Sequence, residues 1–148
     1  MSGKIYAAAK KYLGRCEVPG AKHNPWIVDL FRSVGHSWVK DDETPWCAAF
    51  VGFVLKEAGY AGTGKLNALS YLNWGIKIKP EEVRQGDIVV FWRNKPNSAY
   101  GHVAFFSEWD KQGNPVVLGG NQGNAVTIRT YPKGRMLGIV RPIEPKEK

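Results

Sequence analysis

The sequence predicts an α+β fold, with N-terminal helices packed on a C-terminal antiparallel β-sheet. Three observations carry this expectation. Apolar residues in the first half recur at helical spacing between glycine stops. From Gly86 the pattern changes to short β-rich runs divided by Gly, Asn, Pro and Asp clusters. Helices come first and strands later, which argues against alternating βαβ units.

The elements follow in order. Ile5 to Leu13 reads as a short helix stopped at Gly14. "HNPWIVDLFRSVG" offers Asn24 as N-cap, Pro25 at the first helical position and Gly35 as stop. Thr44 and Pro45 open a third helix that ends at Gly59. "NALSYLNWG", residues 67 to 75, reads as a shorter helical piece. The strands are "GDIVVFW", "GHVAFFSEW", "PVVLGG", "AVTIRTY" and "RMLGIV", arranged as an antiparallel meander. With 148 residues, 43% hydrophobic and 12% aromatic, the chain suits one catalytic-sized domain over 1–148. Its core spans about 4–142, and 143–148 form a flexible tail.

The formal net charge is +8, which favours polyanionic partners such as nucleic acid, anionic lipid or envelope polymers. No nucleic-acid motif accompanies the charge, so no nucleic-acid partner is expected. No run approaches the roughly 18–20 apolar residues of a membrane span. "MSGKIYAAAKKYLG" lacks the apolar region and cleavage site of a secretory signal, so synthesis in the cytoplasm without a signal peptide is expected.

Two cysteines, Cys16 and Cys47, are too few for a disulfide scaffold. Cys47 lies in "TPWCAAF". With Thr44 as cap and Pro45 in the first turn, it falls near the third helical position, where the helix dipole favours a thiolate and depresses its pKa. Phe50, Val51, Val54, Leu55 and Ala58 form the stripe that anchors this helix. Packing alone also accounts for a cysteine in an apolar helix. Cys16 has no helix-start context, and no chemical role is expected of it.

A thiolate needs a base, and the base an orienting group. His23 and His36 sit beside helix ends and read as surface or cap residues. His102 begins an apolar strand on one face with Ala104 and Phe106. Asn121 and Gln122 end the following strand, where a side-chain amide can fix the imidazole tautomer. The same "GGNQGN" is also a good turn. Backbone N–H groups in the first turn of the Cys47 helix suit an oxyanion. Trp46, Trp74, Trp92 and Tyr100 are candidates for a groove, against core or rim packing.

In this order, "DDETPWCAAFV", "GDIVVF", "GHVAFF", "LGGNQ" and "YPKGRMLG" resemble the CHAP group of cysteine amidases and peptidases, within the wider papain-like NlpC superfamily. The resemblance runs from about Leu13 to Arg141 and implies a papain-like fold. It implies Cys47 as nucleophile, His102 as base and Asn121 as the orienting residue. It further implies a peptidoglycan hydrolase cutting the muramoyl–alanine bond or a stem or cross-bridge peptide bond, as in phage endolysins. Trp46, Gln122, Asp42 and Tyr100 are the companion candidates for the oxyanion and substrate. Many CHAP members carry a glutamate two residues before the asparagine; here Gly119 stands there, so a triad is expected.

Asp41, Asp42 and Glu43 lack the spacing of a calcium loop, and no metal or cofactor is expected. The partners expected are peptidoglycan and, through the basic charge, the anionic envelope surface, met by a monomer in the periplasm or outside the cell. An antibacterial toxin of the same chemistry and an inactive wall-binding module on the same fold are the alternatives.

Overall fold

The computed structural model describes residues 2–16, 25–33, 46–65, 67–93, 101–122 and 125–143. The helices are α1 (Ser2–Lys10), α2 (Pro25–Ser33) and α3 (Cys47–Glu57). A 3₁₀ segment, Ala68–Asn73, takes the place of the expected fourth helix, capped where Asn67 Oδ1 accepts the Leu69 N–H at 2.9 Å. The strands are β1 (Ile76–Lys77), β2 (Ile88–Trp92), β3 (Gly101–Trp109), β4 (Pro115–Gly119), β5 (Thr127–Thr130) and β6 (Met136–Arg141). The expectations placed on His23, Asn24, Gly35, His36, Asp41, Asp42, Glu43, Thr44, Pro45, Tyr100 and the tail from 144 lie outside the described residues.

The fold is α+β as expected, with one antiparallel sheet in the order β1-β6-β2-β3-β4-β5. Only β2 to β5 form a meander. β6 returns to the other edge of β2, because Ile88–Phe91 are buried and need cover on both sides. β1 is two residues long and shows no alternation to read.

One sheet face receives α3, whose buried stripe includes Phe50, Val51, Val54 and Leu55. That helix packs on β3 and β4 and is backed by α1 and α2. The reverse face carries Val89, Phe91, Ala104, Phe106, Val117 and Ile139, covered in part by Trp109, Tyr131 and Met136. Each sheet face therefore has its own apolar layer, with the strands as the rigid partition between them.

Asp87 locks the sheet at the start of β2. It is fully buried, and Arg141 Nε and Nη2 donate to its two carboxylate oxygens, both at 2.8 Å. The Arg84 N–H donates to Oδ2 at 2.8 Å. This fork joins the beginning of β2 to the end of β6, a pairing invisible in the "GD" turn signal. Asp87→Ala strands the Arg141 guanidinium and is expected to cost about 3–5 kcal/mol. Urea unfolding measures it, and a loss below about 1 kcal/mol would reduce the pair to a surface contact.

Candidate active site

The start of α3 differs from expectation in register. Trp46 occupies the N-cap position without a side-chain cap bond, and Cys47 is the first helical residue rather than the third. Trp46 is fully buried, so it is not a groove wall. A Cβ on Gly120 would lie 2.7 Å from its ring, so indole and glycine fit only as a pair. Trp46 thus wedges the helix start against the end of β4.

Cys47 is 4% exposed. Burial pushes its thiol up, against the expected depression. The opposing influences are the Val103 N–H, the charge of Arg93 and the N–H groups of Ala48 and Cys47 itself. Desolvation outweighs them all, so the resting thiol is neutral. Cys16 is exposed and lies opposite Ala125 in an isolated bridge.

Sheet geometry explains why Val103 meets the sulphur. Phe106 uses both its N–H and its C=O toward the β2 side, bonding Asp87 O at 2.7 Å and Gly86 N at 2.8 Å. By the two-residue period, Val103 directs its N–H toward β4. The pairing of β3 with β4 has ended by then, its last pair being Phe105 with Leu118. Cys47 Sγ enters the gap and accepts the N–H that β4 leaves. His102 precedes Val103, so the thiol meets β3 one residue from the imidazole, at the open end of the sheet.

His102 is buried and shares its face with Ala104 and Phe106, as expected. Its ring packs against two aromatic neighbours, which also stack on each other. Phe91, its cross-strand partner, lies at 6.3 Å between centroids, and Tyr131 stacks on it at 5.1 Å with 27° between planes. Its hydrogen-bond partner is Gln122, not Asn121: Nε2 and Oε1 are 2.8 Å apart. Gln122 Nε2 donates to the carbonyls of Thr127 at 2.8 Å and Val117 at 3.4 Å. With the amide donors committed, Oε1 must accept, so His102 carries its proton on Nε2 and leaves Nδ1 bare.

The exchange of Asn121 for Gln122 has a backbone cause. Asn121 adopts φ 58°, a left-handed conformation asparagine tolerates. The chain turns there and sends Gln122, 1% exposed, back beneath the strand. Gln122 is therefore an internal support, not a substrate contact. Gly119 is part of the same fit, since a Cβ there would stand 2.7 Å from both Gln122 Oε1 and the Ala104 Cβ. A glutamate at position 119 cannot coexist with this amide.

A cavity of about 110 Å³ opens beside His102. Phe91, Trp92 and Tyr131 form its aromatic side, and Asn121 lines it with His102. Arg93 and Arg135 complete the wall. The sequence reading missed Tyr131, Arg93 and Arg135, which stand in or beside turns with no periodic signal. Trp74 instead lines a separate cavity with Tyr60 and Ile143. Among the described residues no group of His, Cys, Asp and Glu is placed to hold a metal ion. Nor is any described helix long and apolar enough to cross a membrane.

Burial is the main cause that lowers the His102 pKa to about 4, with the charge of Arg93 adding to it and the Gln122 bond opposing. The folded value lies below the unfolded one near 6.5. The folded state therefore takes up its proton later on acidification. The associated stability, on the order of 3 kcal/mol, is complete above pH 6.5 and lost as pH falls through about 4. Urea midpoints across this window are expected to fall in the native chain and to flatten in His102→Leu. Equal slopes would mean that His102 titrates as an exposed imidazole.

The CHAP domain family model matches residues 39–121, more than half of the chain. A comparison with curated proteins gives no match. Among solved structures, an NlpC/P60 family protein from Bacillus cereus is similar, with a TM-score of 0.60 and 16% identity over 95% of this chain and 40% of that one. A protein from Staphylococcus aureus described as similar to lipoprotein, NLP/P60 family, gives 0.59 and 20% over 97% and 42%. The chain thus spans about two fifths of the length of each, and the likeness establishes the papain-like α+β fold.

Proposed function

Since the chain belongs to the CHAP domain family, we propose that it is a peptidoglycan hydrolase that cuts an amide bond through Cys47, His102 and Gln122. The observation carrying this reading is that the Cys47 thiol meets the Val103 N–H, next in the chain to His102, whose Nε2 is held by Gln122. In the proposed cycle, the Cys47 thiol proton passes to His102 Nδ1 while sulphur attacks the carbonyl carbon. The Cys47 N–H, at the first position of α3 and without an intrahelical partner, faces the developing oxyanion. Collapse breaks the C–N bond, and the leaving amine takes the proton from His102. Water then attacks the thioester, giving its proton to the imidazole, and the acid and free thiol are released.

Starting from a neutral pair suits this sequence, because no charge is stranded in a dry site before substrate arrives. The bond is either the muramoyl–alanine linkage or a peptide bond of the stem or cross-bridge. The setting is that of a phage endolysin acting in the periplasm or outside the cell, with the +8 charge drawing it to the anionic envelope. Digestion of purified peptidoglycan, followed by mass spectrometry of the fragments, tests the reading. New amine and carboxyl ends are expected; new reducing sugar ends alone would overturn it.

A further inference from the structure

The cavity beside His102 carries charge of one sign. Arg93 follows β2 directly, and Arg135 stands in the 3₁₀ turn, Lys133–Arg135, that enters β6. Both line the cavity, and among the described residues no aspartate or glutamate does. The charge of Arg93 is felt at Cys47, His102 and Tyr131, and that of Arg135 at Tyr131. Among the described residues neither guanidinium forms an ion pair, whereas Arg141 is fully engaged by Asp87.

Arg135 is also held in place. Its guanidinium lies over the Trp92 indole at 5.1 Å, and Trp92 Nε1 donates to the Gly134 carbonyl at 3.2 Å. The contact holds the Arg135 guanidinium beside Trp92 at the cavity wall. Two cations beside a neutral imidazole repel one another and have no counter-charge among the described residues, so a planar anion is the ligand that offsets them.

We infer that Arg93 and Arg135 form a carboxylate subsite next to the reacting bond, and that the substrates are acidic peptides with a free carboxylate close to the scissile amide. The inference rests on the hydrolase reading for the identity of that bond. It also ties selection to rate. Arg93 disfavours the imidazolium form of His102, and a bound carboxylate screens that charge, so His102 becomes a better proton acceptor when the correct peptide is present. The carboxylate therefore raises kcat as well as lowering KM.

The test uses two probes: a wall-type tetrapeptide with free carboxylates, and the same peptide with its carboxylates converted to carboxamides. Calorimetry on the full chain bearing Cys47→Ala measures binding without turnover. The carboxylate peptide is expected to bind at least about tenfold more tightly, with the advantage shrinking in high salt. Adding Arg93→Gln and Arg135→Gln is expected to erase the difference, while Arg135→Lys keeps part of it with an unchanged melting temperature. Equal affinities, no binding of either peptide, or a preference that survives both glutamines would overturn the subsite. Turnover with Cys47 intact separates the two readings. Cleavage of purified wall with equal kcat/KM for both peptides leaves the hydrolase and removes the subsite. Selective binding without cleavage of wall or peptide leaves the subsite and removes the hydrolase.

Discussion

Cys47→Ala is expected to reduce wall hydrolysis to background, a loss of at least about 10⁴-fold in kcat/KM. The reason is chemical: the Cys47 sulphur meets the Val103 N–H, one residue along β3 from the Gln122-supported His102. The fold should survive at some cost. Sγ accepts the Val103 N–H, and alanine leaves that donor unpaired in a buried place, worth about 1–3 kcal/mol. Cys47→Ser separates the two effects. Its hydroxyl can still accept the N–H, yet it is a far poorer nucleophile, so stability should recover and activity should not. Turbidity clearing of permeabilised cells and thermal melts read the outcomes. Full activity in Cys47→Ala would remove Cys47 as the nucleophile, whereas wall binding with no hydrolysis by either protein would favour a wall-binding module.

Gln122→Leu is the second large effect, an expected fall in kcat of about 10²–10⁴. Leucine fills a similar volume but removes the acceptor that holds the proton on His102 Nε2. The proton is then free to move to Nδ1, which can no longer receive one from the thiol. KM should change little, because the amide lies beneath the strand, away from substrate. Asn121→Ala should retain activity within a few-fold while losing about 1 kcal/mol for its left-handed backbone. The reverse ranking of these two variants would return the orienting role to Asn121. Titration of the imidazole by NMR gives a readout independent of rate: in Gln122→Leu the Nε2 proton signal should disappear from its hydrogen-bonded position.

Much of this architecture is legible in the residues. The stripe from Phe50 to Ala58 announces α3, and each long strand stands between turn residues that mark its ends. His102, Ala104 and Phe106 share a face because an unbroken strand keeps its period of two. The same rule fails three residues past Leu118. The positive φ at Asn121 breaks the alternation, so the neighbouring Gln122 reaches the histidine. Long-range closure is the other blind spot. Nothing in "RMLGIV" says that it pairs with β2, and the Asp87–Arg141 fork that ties the two strands together spans 54 positions. The thiol pKa departs from the sequence expectation for a related reason: a helix start is visible in sequence, whereas full burial depends on the layers around it.

In the proposed cycle, the sulphur that completes the last rung of β3 makes the Val103 amide proton a built-in reporter of turnover. Its resonance depends on what Cys47 carries: a thiol, a thiolate, a thioester or an alkyl group each polarises that N–H differently. A single cross-peak in a ¹⁵N-correlated spectrum is then expected to follow acylation and deacylation without any label on the substrate. The same proton should exchange with solvent faster once the sulphur is drawn away, so protection at Val103 becomes a clock for the lifetime of the acyl-enzyme.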